Sequence, residues 1–291
     1  MEGQRTGYTL DEMCAVLAVS ESGYRAWTQG GTPDRMRLTD AQLLALIRAI
    51  HEELKGAYGS PRMVRELRGR GVPASKERVE RLMREHGIRA RHTRRYTATT
   101  DSTHTLPVAA NLLNRDFTPS ATNQTWTSDI TSLWTDEGWL YLAIVLDLFN
   151  REVVGWSLKP RMTADIVTDA LTMAWCRRKP VVGLMHHSDR GSQYASQPFQ
   201  HKLREYGMRC SMSRKGNGWD NAPTESWFNS VKNERVHGIR DDTRAEMTAA
   251  SFEYIEVFYN RTRRHSTLGD QSPMQLLDKW RLAQYEENLV A

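Results

Sequence analysis

The chain has 291 residues, enough for about two domains that each bury a core. Its 39% hydrophobic and 26% charged residues exclude a wholly disordered or fibrous protein. Three scattered cysteines, Cys14, Cys176 and Cys210, exclude a disulfide framework or a CxxC metal clip. The apolar run Leu140 to Leu146 is too short to span a bilayer, and the first ten residues hold no apolar leader, so an intracellular protein is expected. The net charge of +5 lies entirely in residues 1–110, where 18 Lys and Arg face 13 Asp and Glu. Between Arg62 and Arg95 the balance is 12 basic to 4 acidic, a concentration that attracts polyphosphate.

The first elements are helical. Leu10, Met13, Cys14 and Leu17 recur at helical spacing, Ala18-Val19-Ser20 turns, and Ser20 caps a short second helix reaching Trp27. Residues 1–35 are thus expected to form a short helix-turn-helix segment. A longer one occupies residues 36–95. Leu43, Leu44, Ile47, Ile50 and Leu54 mark one helix; Ser60 and Pro61 open another, which stops at Gly69 and Gly71. Ser75 caps a third helix, with Val79, Leu82, Met83 and His86 facing inward and Lys76, Arg78, Arg81 and Arg84 outside as a recognition-helix pattern. Residues 96–118 then lose periodicity and are expected to be a basic linker or DNA-tracking arm.

Strand signals follow. Trp126 to Trp134 alternates, Asp136-Glu137-Gly138 turns, and Trp139 to Phe149 and Val153 to Leu158 complete a meander. A helix over 163–176, a strand from Val181 to His187, a helix over 197–206, a strand from Met208 to Ser213 and a helix from Asn221 to Val236 come next. This order predicts an α/β catalytic core over 119–245, a mixed sheet with helices on its faces, and a helical extension of it over 246–291. Three carboxylates occupy informative positions: Asp129 inside the first strand, Asp189 just past the fourth, and Glu225 in the first turn of the following helix. If the first and fourth strands are neighbours, the aspartates meet and the helix brings Glu225 to them. Such crowded carboxylates need compensating cations, and hard oxygen ligands suit two Mg2+ or Mn2+ ions handling phosphoryl chemistry. Lys232 shares a helix face with Glu225 and is expected to grip a phosphate beside them.

Other readings are weaker. Ser188, His187 and Asp189 are consecutive and cannot form a nucleophilic triad, because strand neighbours point to opposite faces. A zinc site at His186 and His187 lacks thiols or a second spaced pair, which leaves these histidines as packing groups.

The strings CAVLAVSESGYRAW, GSPRMVREL, WTSDIT, HHSDRGSQY, GNGWDNAPTESWFNSVKNE and YNRTRRHSTLGDQSPMQ resemble the OrfB-type transposases of the IS-three family of insertion sequences nearly end to end. The resemblance implies an RNase H-like, retroviral-integrase-like core behind helix-turn-helix modules. Asp129, Asp189 and Glu225 would hold two Mg2+ ions, and the chemistry would be end cleavage and strand transfer in a copy-out, paste-in route. Contacts to terminal-repeat and target DNA are expected from Arg62 and the recognition helix, from Arg190 and Asn221, and from Arg214, Lys215 and Asn217 of the glycine-rich segment 214–218, which is expected to be poorly ordered without DNA. Lys232, Arg263 and Arg264 join them. The resemblance further implies a homo-oligomer on DNA in a bacterial cytoplasm, associated with the nucleoid. The absence of a heptad pattern predicts that the chain is the downstream part of a frameshift fusion, or the partner of a separate OrfA-type product. The alternatives are a DNA-binding regulator with a silent core and a general RNase H-like nuclease.

Overall fold

From Thr125 onward the sequence is rich in Trp, Thr, Ile, Val and Leu, and this stretch supplies the sheet. The computed structural model describes residues 9–16, 19–28, 38–91, 106–215, 217–236 and 242–290. Leu17, Ala18, residues 96–105 of the expected linker and Gly216 lie outside them. Contacts divide the chain into two units, Met1–Glu53 with Met63–Ile88, and Leu54–Arg62 with Arg89–Ala291.

The first unit is all-helical. It holds α1 (Leu10–Val16), α2 (Glu21–Thr28), α3 (Asp40–Glu53), most of α4 (Ser60–Gly69) and α5 (Lys76–Glu85). Ser20 Oγ accepts from Gly23 N and Ser75 Oγ from Arg78 N, so both serines cap the helices that follow them. The core is Leu43, Leu44, Ile47 and Ile50 of α3, Met63, Val64 and Leu67 of α4, and Val79, Leu82 and Met83 of α5. His86 does not share this face. It sits at the C-cap of α5 and is exposed, because the helix ends before its side chain can turn inward.

The second unit is built on five strands: β1 (Thr125–Thr135), β2 (Gly138–Asp147), β3 (Val153–Lys159), β4 (Met185–Ser188) and β5 (Arg209–Met212). Their order is β3-β2-β1-β4-β5, antiparallel through the β1–β3 meander and parallel across β1–β4 and β4–β5. One face carries α6 (Ala164–Arg178) and α8 (Gln197–Glu205) over Trp126, Ala143 and Val145. The helix α6 lies so close to β3 that a Cβ on Gly155 would stand 2.2 Å from Ala170 O. The other face carries α9 (Ala222–Val231) and the helical stretch after α10 (Arg244–Phe252) over Leu133, Leu142 and Ile144. The last helix is α11 (Pro273–Val290).

Two expectations for this unit change. The fourth strand starts at Met185 rather than Val181; Val181 and Val182 are exposed in the approach to it. One extra helical turn, α7 (Ser192–Ala195), follows Asp189. The expected linker is also partly structural. Leu113 is buried, Leu112 N and Leu113 N donate to Ser211 Oγ, and Met212 N donates to Ala110 O. Residues 106–118 therefore belong to the sheet unit.

Candidate active site

The parallel β1–β4 pairing runs from Thr125 opposite Met185 to Ser128 opposite Ser188, so Asp129 and Asp189 are the next residues along each strand. Two devices bring α9 to them. Thr127 and Thr224 join their hydroxyls at 2.8 Å, both buried, and Thr127 shares a β1 face with Asp129. Asn221 Nδ2 donates to Ser128 O at 3.1 Å. Glu225 comes immediately after the pinned threonine, in the first turn of α9, where the helix dipole favours a carboxylate.

Electrostatics links the three acids. Burial pushes the Asp129 carboxyl well above its usual range, and the charges of Asp189 and Glu225 push it further, while Ile130 N–H and the Lys232 ammonium pull the other way. Burial also raises Glu225. Asp129 Oδ1 accepts from Ile130 N at 2.7 Å and Asp189 Oδ1 from Gly191 N at 2.9 Å, so each carboxylate is turned partly toward its own backbone. Accordingly, no three His, Cys, Asp or Glu side chains among the described residues stand ready to hold an ion together. The donor set itself, three carboxylates, fits a hard divalent cation.

Tyr194 of α7 was not anticipated. Its hydroxyl is buried with no hydrogen-bond partner among the described residues; burial, then Asp129 and Asp189, raises it well above 10. Its only advance signal was its place five residues after Asp189. His186 and His187 are buried and neutral: His186 Nε2 shares a hydrogen bond with Ser128 Oγ, and His187 bridges Ser211 and Ser213.

Several residues expected to touch DNA are committed elsewhere. Arg263 is buried and grips Glu234 through two 2.7 Å bonds, with Tyr254 OH and Arg62 Nη1 on the same carboxylate. Neither Arg263 nor Arg62 is thus an open phosphate ligand. Asn221 is buried as the joint to β1. Arg214 folds onto the fully buried Asp220, which also accepts from Arg115 and Asn111; Arg115 bonds Asn217 as well. Arg214 and Asn217 of the segment expected to be poorly ordered are thus tied to Asp220 and Arg115, while Gly216 lies outside the described residues. Arg190 Nε donates to Ser213 O, and Arg264 Nη1 to Asp270 O. Lys215 is exposed. Lys232 is buried, and its charge reaches Asp129 instead of solvent. In the helical unit Arg78 and Arg81 both pair with Asp40, while Lys76 and Arg84 are exposed.

An integrase core domain model matches residues 119–218 and a second one residues 225–279; an HTH-like domain model matches residues 38–96. The transposase InsF for insertion sequence IS3A of Escherichia coli is 44% identical over 280 residues, covering 96% of this chain and 97% of that protein. The chain belongs to this family of insertion-sequence transposases. A 31 kDa protein of insertion element IS600 from Shigella sonnei is 43% identical over 92% of this chain and 98% of its own length. Among solved structures, the intasome of simian T-cell lymphotropic virus gives a TM-score of 0.45 at 17% identity, covering 79% of this chain and 73% of that one. The HTLV-2 integrase catalytic core in complex with magnesium gives 0.40 at 18%, covering 54% and 97%. The transposase has an integrase core and an HTH-like domain, and it acts on DNA. No helix among its described residues is long and apolar enough to cross a membrane.

Proposed function

We propose that this transposase cleaves and joins insertion-sequence ends with Asp129, Asp189 and Glu225 as its catalytic acids and Mg2+ or Mn2+ as cofactor. The observation that carries the reading is the parallel β1–β4 register, which sets Asp129 and Asp189 at adjacent strand positions, with α9 tied to β1 through Thr127–Thr224 and Asn221–Ser128 just before Glu225. The three acids would hold the ions, which supply Lewis-acid stabilisation of the charge on the phosphate and the departing 3′ oxygen. In cleavage, a water oxygen bonds to phosphorus and the P–O3′ bond breaks, leaving a 3′-hydroxyl and a 5′-phosphate. In joining, that 3′-hydroxyl oxygen attacks the second strand's phosphorus, a new 3′-hydroxyl departs, and the proton passes from one to the other. Lys232 holds negative charge on Asp129, and the Thr127–Thr224 and Asn221–Ser128 bonds keep Glu225 over β1.

The likeness to the InsF transposases supports a copy-out, paste-in route, carried out by a homo-oligomer on terminal repeats together with, or fused to, an upstream OrfA-type product. The test is joining of cognate ends in a supercoiled plasmid with Mn2+, with and without that partner. Asp129→Asn, Asp189→Asn and Glu225→Gln should each abolish joining while leaving end binding intact. Joining by any of the three at the wild-type rate removes that residue from the catalytic set.

A further inference from the structure

Trp219 stands six residues before Glu225 with its indole 75% exposed, more than any other aromatic side chain among the described residues for which an exposure is known. A lone exposed aromatic side chain is ordinary at a surface, so what it can do is decided by what surrounds it. The backbone around it is held firmly. Asp220, the next residue, is fully buried and accepts hydrogen bonds from Asn111, Arg115 and Arg214. Asn221, the one after, is tied to Ser128 O beside Asp129. With consecutive Cα atoms 3.8 Å apart, the Trp219 Cα lies within about 7.6 Å of the Asn221 Cα. The indole is therefore presented near Asp129 and Glu225 from a backbone anchored on its C-terminal side by Asp220 and Asn221.

The surroundings favour a nucleic-acid occupant over a protein one. Arg115 and Arg214 share the single charge of Asp220, which leaves that cluster net positive, and the exposed Lys215 adds an unscreened cation to the loop. An aromatic face among phosphate-attracting cations is the composition that stacks nucleobases. A terminal 3′-hydroxyl that must reach the phosphorus of a second strand gains reach when its nucleotide leaves the duplex. A base released in this way needs a new stacking partner.

We infer that Trp219 is a nucleobase-stacking subsite that receives a base unpaired at the DNA end beside the scissile phosphate. This rests on the catalytic-site reading above. Trp219 is a DNA-positioning residue, and it holds the opened end open.

The test compares joining by wild type, Trp219→Ala and Trp219→Phe on two substrates: fully paired ends, and ends carrying two terminal mismatches. All reactions contain the OrfA-type partner, and wild-type joining on both substrates together with none by Asp129→Asn establishes that the acid-site reading holds. Trp219→Ala should join paired ends about ten-fold or more slowly, in keeping with the loss of one base–aromatic stack. It should recover most of that loss on mismatched ends, where no pair has to be opened. Trp219→Phe should fall between the two, and mobility-shift binding of the paired end should be unchanged, since the indole packs against nothing in the core. Equal joining by Trp219→Ala and wild type on paired ends overturns the inference. So does the same defect on both substrates, which would place the indole in protein or duplex docking. Failure of the wild type to join either substrate would strike the acid-site reading instead.

Discussion

Arg263 offers a sharp test of how the catalytic helix is held. Its guanidinium meets Glu234, just beyond Lys232, through Nε and Nη2, both at 2.7 Å, and the two side chains are 3% and 7% exposed. Burial alone would push the Glu234 carboxyl up, but Arg263, helped by Arg62 and Tyr254, holds it below its usual range. Truncating one partner of a buried pair costs about 3–5 kcal/mol, because the other charge is stranded. Arg62 Nη1 remains at 3.0 Å, so Arg263→Ala should fall at the low end, about 3 kcal/mol. For a unit of this size that lowers the melting temperature by roughly 6–12 °C. The assay is thermal and urea unfolding of the full chain, run beside Glu234→Leu and the pair Arg263→Met/Glu234→Leu. The double variant should cost well under the sum of the singles, because a matched apolar pair leaves no stranded charge. A loss under about 1 kcal/mol for Arg263→Ala, or simple additivity in the cycle, would show that the network does not hold this helix.

Three further outcomes follow from the same structure. Gly155→Ala forces a methyl against Ala170 O and should cost about 1–3 kcal/mol by overpacking, read from urea unfolding; a neutral effect would mean that α6 is not seated on β3 as described. Burial lowers His186 to about 3 and His187 to about 4, from an ordinary 6.5. The unfolded chain therefore takes up protons below pH 6.5 while the folded one does not, so stability is full above pH 6.5 and falls as the pH drops toward 4, by about 3 kcal/mol for His187 alone. An unfolding midpoint unchanged between pH 7.5 and 5 would contradict this. In the helical unit, Lys76→Ala and Arg84→Ala should each weaken DNA binding and reduce the slope of log affinity against log salt by about 0.9. Arg78→Ala should chiefly cost stability, since Arg78 pairs with Asp40; a salt slope indifferent to Lys76 and Arg84 would take α5 out of the interface.

The sequence announced the elements that carry period and punctuation. Alternation from Trp126 to Trp134, the caps Ser20 and Ser75, and the apolar face of α3 need only local information, and each is where the pattern places it. The nearness of Asp129 to Asp189 was legible as a condition, namely that the first and fourth strands be neighbours, because a parallel pair fixes register along its whole length. The polar partnerships were not legible. Arg263 sits in a basic run and reads as a phosphate ligand, and only the fold shows Glu234, 29 positions earlier, waiting for it. Arg214 and Arg78 mislead in the same way, each being cancelled by an acid that is distant or buried. Basic residues announce charge, whereas their availability depends on long-range contacts that no local pattern encodes.

That distinction bears on how an acid cluster is tolerated in the middle of a sheet. Burying Asp129 opposes folding, and the charges of Asp189 and Glu225 add to that burial in pushing its carboxyl upward. The cost is offset partly on the acids, where Ile130 N and Gly191 N donate to Asp129 and Asp189, and partly one residue away: Thr224 beside Glu225, Ser128 beside Asp129, Ser188 beside Asp189 in the β4 ladder. Holding the neighbours fixes the backbones from which the carboxylates project. The same economy explains Trp219, whose following residues are buried and bonded while its own side chain is left in water. Sites of this kind are found less by the reactive side chains than by the immobilised residues next to them.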